Sequence, residues 1–251
     1  MKSVPPAPAN APNKAATGVT GFDQITGGGL PRGRTTLLVG GPGAGKTIMA
    51  LQFLAHGARH CKEPGIFVAC EESPQRILTN AASFGWELQQ LVPQKMFFLD
   101  AQPRSSLVES GDFDLGGMLA ALEVQTRVMG AMRIVFDALD VVMARLPDHD
   151  ARKREMYRLH EWLLAHQLTA MLTLKADAEG NSTISQQPFG FMQFMVDCCV
   201  ILSQSVVRGL SQRDLRVQKY RGSGFNENES PFSIGRGGFE VQTRMREGSP
   251  P

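Results

Sequence analysis

Near residue 40 the chain reads Gly40-Gly41-Pro42-Gly43-Ala44-Gly45-Lys46-Thr47, the spacing G-x-x-x-x-G-K-T. Between a strand and a helix this pattern wraps a polyphosphate. Gly43 and Gly45 let backbone N–H groups turn inward around phosphate oxygens, and the helix start adds its positive end. In that chemistry Gly41, Pro42, Gly43, Ala44 and Gly45 line the cradle. Lys46 reaches the β- and γ-phosphates, and the Thr47 hydroxyl ligates a metal ion. The pattern predicts binding of ATP with Mg2+.

A phosphate loop needs an acid to support the metal. Arg133-Ile134-Val135-Phe136-Asp137 is an apolar strand ending in one, and Asp137 is assigned that role, with helix capping as its alternative. Glu71-Glu72 ends another apolar run, where α/β sheets hold their ligands. One of the pair can polarise an attacking water. Equally, both can decorate the helix predicted to start near Pro74. Lys219-Tyr220-Arg221 places two cations on one face of a late strand. They can neutralise charge on a transferring phosphate, or simply solvate a strand edge.

These residues need a scaffold, and the chain alternates short apolar strands with amphipathic helices, the mark of an α/β domain. Strands are predicted at Thr35–Gly40, Gly65–Cys70, Met96–Asp100, Met132–Asp137, Thr169–Leu174 and Asp197–Leu202. Helices are predicted at Lys46–Arg59, Pro74–Phe84, Leu115–Met129 and Asp150–His166. Continuous apolar runs suit parallel strands covered on both faces. Asp214–Tyr220 and pieces of Pro231–Val241 read as antiparallel additions at the C-terminal side. Residues 1–16 and 244–251 are poor in large apolar side chains and are expected to be flexible tails around a domain of residues 17–243.

Composition is that of an ordinary globular domain: 251 residues, 42% hydrophobic, 20% charged and a net charge of +2. That balance does not argue for nucleic acid or membrane. No apolar run reaches the ~18 residues of a membrane span. Four cysteines without a C-x-x-C pair or a signal sequence read as buried hydrophobes in a soluble, cytoplasmic protein. His56 and His60 share a helix face but lack further zinc ligands. Arg152, Lys153, Arg154 and Arg158 read as a solvated or subunit-facing helix surface.

The ordered set resembles the KaiC family of RecA-type ATPases. It comprises Thr17-Gly18-Val19, Gly27 to Gly33, the phosphate loop, Glu71-Glu72-Ser73-Pro74, Ser83-Phe84-Gly85-Trp86, Phe113-Asp114-Leu115 and Lys219-x-Arg221-Gly222-Ser223. The resemblance covers residues 17–241. It implies a mostly parallel central sheet flanked by helices, and ATP hydrolysis in hexameric rings with nucleotide between subunits. It also implies that Glu71 is the water-activating base with Glu72 beside it. Lys219 and Arg221 would reach the adjacent subunit's nucleotide, and Ser83 would lie near the bound nucleotide. Val108–Leu115 matches a region that docks a small thioredoxin-like, KaiB-type partner, and a signalling kinase is another partner to expect.

Departures from the family pattern narrow the expectations. This chain carries one copy of the domain where clock members carry two. Phe191-Met192-Gln193-Phe194 stand where autophosphorylating copies have Ser and Thr, although Ser182, Thr183 and Ser185 lie earlier. Thr173-Leu174-Lys175 puts a base where Thr-Thr-Glu is common, and Phe225 replaces a His. Three rival functions remain: a DNA recombinase or helicase motor, an ATP-held scaffold without hydrolysis, and a Ser/Thr autokinase. Residues 177–188 contain no Lys or Arg, which argues against the DNA motor.

Overall fold

The computed structural model describes residues 13–103, 115–176, 189–207 and 209–243. Most of both expected tails, Val108–Asp114 of the expected docking segment, and Ser182, Thr183 and Ser185 lie outside the described residues.

The chain begins with β1 (Lys14–Ala15), α1 (Phe22–Ile25) and β2 (Leu30–Pro31). β1 pairs antiparallel with β2, and Ala15 is fully buried. Lys14 and Ala15 were expected within the flexible tail. Two residues of strand are too few to leave a mark in a Pro- and Ala-rich composition.

Next come β3 (Thr35–Gly40), α2 (Lys46–His56), β4 (Gly65–Ala69), α3 (Pro74–Ala81) and β5 (Met96–Asp100). They are followed by α4 (Leu115–Met129), β6 (Arg133–Asp137), α5 (Leu139–Met143), α6 (His149–Ala165) and β7 (Thr169–Lys175). The last elements are α7 (Met192–Met195), β8 (Cys198–Val207), β9 (Leu210–Tyr220), β10 (Ser230–Gly235) and β11 (Gly238–Val241).

The nine-stranded sheet has the order β11-β10-β9-β8-β3-β7-β6-β4-β5. Strands β8 to β5 of that order are parallel, and β9, β10 and β11 are antiparallel additions. The inner parallel strands β3, β7, β6 and β4 are buried on both faces, so their apolar residues alternate between two cores. Leu38, Phe67, Val135 and Met171 enter the core under α2 and α3. Leu37, Ile66, Ile134 and Leu172 enter the other, under α4 and α6. Helix spacing matches: Leu115, Leu119 and Leu122 of α4 and Met156, Leu159 and Leu163 of α6 each form one buried stripe.

α2 departs from its expected length, passing at Gly57 into a π-turn that ends at Cys61. The fully buried Arg133 guanidinium lies against Gly57, donates to Phe53 O at 2.7 Å and pairs with Glu63. A Cβ at residue 57 would collide with that arginine. α3 starts at Pro74 as expected, with Ser73 as its N-cap, and ends at Ala81, beyond which a 3-10 turn carries the chain to the expected end at Phe84. No helix among the described residues is long and apolar enough to cross a membrane.

Candidate active site

β3 ends at Gly40 between β7 and β8, so the loop that follows opens at the carboxyl end of the sheet, where α/β folds hold ligands. Gly43 and Gly45 have φ of 72° and 97°, the left-handed backbone that the turn requires. Gly45 is also the N-cap of α2, and a Cβ there would strike Ile234 and Phe239. Ala44 is buried while Pro42 and Gly43 face solvent, so the loop is anchored at one residue and open around it. Lys46 Nζ folds back over the loop and donates to Gly40 O at 2.7 Å and Gly41 O at 2.9 Å. Burial pulls its pKa down, against the opposing charge of Asp137.

Asp137, at the end of β6, is buried. Its Oδ2 accepts from Thr47 Oγ1 at 2.8 Å and its Oδ1 from Thr173 Oγ1 at 2.7 Å. Thr173 Oγ1 accepts in turn from Ala138 N at 2.5 Å. Asp137 does not cap α5, whose N-cap is Ala138 without a side-chain bond. Burial raises the Asp137 pKa, while the bonds from Thr173 and Thr47 and the charge of Lys46 pull it back. A hydroxyl and a carboxylate oxygen side by side suit Mg2+, which takes few protein oxygens and keeps water and phosphate as its other ligands. Among the described residues no three His, Cys, Asp or Glu side chains gather as a metal site, so His56 and His60 form no such cluster.

The two adjacent acids part company. Glu71 turns over the sheet end, where its Oε1 lies 2.5 Å from Lys175 Nζ, and its charge acts on Lys46, Asp137 and Asp140. Glu72 turns the other way and accepts from Asn80 Nδ2 of α3 at 3.4 Å. Neither caps α3, because Ser73 does. Ser83 is exposed after α3, and its hydroxyl donates to Asn80 O rather than to the phosphate loop.

Asp140, Thr173 and Lys175 belong to the same cluster, and the motif reading gave none of them a role. Asp140 Oδ1 accepts from Lys175 N at 3.4 Å, and burial raises its pKa. Its one sequence signal is an acid three residues after Asp137.

Lys219 and Arg221 sit elsewhere. Both point to one face, as their spacing predicts, and both bind the α7 turn: Lys219 Nζ donates to Gln193 O at 2.6 Å and Arg221 Nη2 to Phe194 O at 2.8 Å. Tyr220 is level with Cys198, which pairs with Thr36 at the opposite end of β3 from Gly40. Four strand residues separate that level from the phosphate loop, roughly 13 Å along the strands, and β8 intervenes sideways. Arg221 is exposed and lies beyond side-chain reach of its own loop.

The family model described as "ATPase: KaiC" matches residues 15–246. The chain is 37% identical over 230 residues to the Circadian clock protein KaiC2 of Synechocystis sp., covering 91% of this chain and 40% of that protein. It is 39% identical over 226 residues to the Circadian clock oscillator protein KaiC of Thermostichus vulcanus, covering 89% and 43%. The chain thus spans less than half the length of these curated relatives.

Proposed function

The chain belongs to the KaiC family of P-loop ATPases, and from that membership we propose that it hydrolyses Mg2+-ATP in a hexamer whose sites are completed by neighbouring subunits. Gly41, Pro42, Gly43, Ala44 and Gly45 cradle the phosphates. Lys46 leaves the carbonyls of Gly40 and Gly41 and takes phosphate oxygens. Thr47 and Asp137 would hold the metal, and Mg2+ when bound would neutralise phosphate charge. Glu71 orients the attacking water and accepts its proton, with Glu72 and Ser83 bordering the nucleotide. Lys219 and Arg221 of the adjacent copy stabilise the charge that develops on the transferred group.

The supporting observation is the placement of Lys219 and Arg221. Both are held side by side at the end of the sheet remote from their own phosphate loop. A cationic pair in that position is out of reach of its own phosphate loop, which supports a role at the nucleotide of another copy. Turnover then depends on assembly, which makes the ring a nucleotide-dependent switch. The relatives are named as circadian clock proteins. In keeping with that, the ring's nucleotide state is read by a protein partner, a small thioredoxin-like protein or a signalling kinase, in the cytoplasm.

Native mass spectrometry with ATP, with ADP and without nucleotide, run beside a phosphate-release assay, tests this. A six-subunit mass with ATP and steady phosphate release is expected. A nucleotide-independent monomer that still releases phosphate would sink the ring. The Glu71–Lys175 ion pair favours one second reading, an ATP-held ring with its base neutralised. Phosphate release that Glu71→Gln abolishes would exclude it.

A further inference from the structure

Lys175 ends β7 directly beside the phosphate loop. Its Cα partner across the ladder is Gly40, and Ala176 N donates to Gly40 O at 3.1 Å. The main chain at residues 175–176 is therefore pinned to the first residue of the loop. The side chain is not pinned: it is partly exposed and spans the end of β6, which lies between β7 and β4, to meet Glu71 just beyond the end of β4. The charges of Lys175, Asp140 and Glu71 all act on Lys46, and Lys175 N donates to Asp140 Oδ1. Two cations and three carboxylates thus share one patch, with Lys46 already over the loop and Lys175 at its outer side.

We propose that Lys175 senses the γ-phosphate, exchanging Glu71 for the terminal phosphate of bound ATP and so freeing Glu71 only when ATP rather than ADP is present. The inference rests on the nucleotide site proposed above. Its physical basis is the contrast between the two possible partners. The side chains of Lys175 and Glu71 are 39% and 47% exposed, and so open an ion pair is weakly held against water. A γ-phosphate offers the same ammonium more negative charge and several acceptor oxygens. ADP lacks that group, so with ADP the lysine keeps Glu71. Lys175 is on this account a phosphate-binding residue and, through Glu71, a positioning residue for the base.

The experiment is equilibrium binding of ADP and of a non-hydrolysable ATP analogue, both with Mg2+. The proteins are the wild type, Lys175→Ala, Lys175→Arg, Glu71→Gln and the Lys175→Ala/Glu71→Gln double variant. Loss of one charge-assisted bond predicts that Lys175→Ala weakens the analogue by about tenfold, with ADP affinity unchanged and Lys175→Arg restoring most of the difference. Glu71→Gln frees the lysine and is expected to tighten the analogue, an effect that disappears in the double variant. Equal weakening of ADP and analogue by Lys175→Ala, or an effect of Glu71→Gln that ignores residue 175, would overturn the proposal. A wild type that binds neither nucleotide would instead remove the nucleotide site itself.

Discussion

Two ends of one sheet carry this molecule's charged chemistry, and they are built in opposite ways. At the carboxyl end of β3, β6 and β7, Thr47, Asp137, Thr173 and Ala138 form a closed chain of hydrogen bonds. The links tie α2, the end of β6 and β7 together, and the carboxylate is buried. At the other end, Lys219 and Arg221 rest on two backbone carbonyls of a single helical turn, beside a Phe194 ring that is 72% exposed. Cations on the last carbonyls of a helix are favourably but lightly held. The first arrangement is complete within one chain. The second is held by two backbone contacts that cost little to leave, and under the proposed function a neighbouring copy completes it.

The largest effect should come from breaking the open end. Arg221→Ala is expected to leave nucleotide binding intact and cut turnover by about a thousandfold, the scale of an arginine finger. Phosphate release and nucleotide titration on the same sample measure the two halves of that claim. Mixing Arg221→Ala with Glu71→Gln subunits sharpens it. Each variant is inactive alone, but their shared interfaces contain sites with both residues intact, so turnover should return. A mixture that stays inactive would place the finger in its own subunit.

Breaking the closed end should act on binding first. Lys46→Ala is expected to weaken ATP and ADP alike by on the order of a hundredfold, since under the proposed function Lys46 exchanges its bonds to the Gly40 and Gly41 carbonyls for two charge-assisted bonds to phosphate. Isothermal titration reads this directly. If ring formation depends on nucleotide, the same variant should also lose its six-subunit mass at ATP concentrations that assemble the wild type.

The two ends were unequally legible in the sequence. The phosphate loop and Asp137 lie in contiguous segments, where glycine spacing and an apolar run state their own geometry. Ends of the central parallel strands came within about two residues, but β8 ran on to Val207 and β9 began at Leu210 rather than Asp214, because the hairpin arm that they share is largely polar and exposed. Thr173, Asp140 and Lys175 could not be placed because their meaning depends on the order β3-β7-β6-β4. That order sets Lys175 across β6 from Glu71, and no local pattern encodes it. The choice between Glu71 and Glu72 had the same cause. Adjacent residues diverge, and only the neighbours they meet, Lys175 and Asn80, tell them apart. For the open end, spacing showed that Lys219 and Arg221 share a face, while the register with Cys198 shows which end of the sheet they occupy.

The contrast also predicts how each end contributes to stability. Thr173→Val keeps the shape but leaves the buried Asp137 Oδ1 and Ala138 N–H without their shared partner, a loss of about 1–3 kcal/mol in denaturant unfolding. Lys219→Ala removes a partly exposed side chain and should change stability by less than about 0.5 kcal/mol. Comparable losses from the two would show that the open end is structural, and would weaken the case for its availability to a neighbour.

The smallest effect is a pH dependence that belongs to the open end. His160 on α6 lies behind Arg221, with its Nδ1 3.3 Å from Thr35 Oγ1. Burial lowers its pKa below 6.5; Asp197 and Glu161 push it up, and the Arg221 charge presses it down. A histidine whose folded pKa lies below its unfolded value binds fewer protons in the native state. Its contribution is therefore fully present above pH 6.5 and is lost as pH falls from 6.5 through the lowered folded pKa. His56, also lowered by burial, adds to the same slope, so the His160 share must be isolated by difference. Melting temperature between pH 7 and 5 should fall less in His160→Gln than in the wild type. Arg221→Ala should flatten the slope in the same direction, because one of the charges opposing protonation is gone. An unchanged slope in Arg221→Ala would mean that the cation is directed away from its own subunit even at rest.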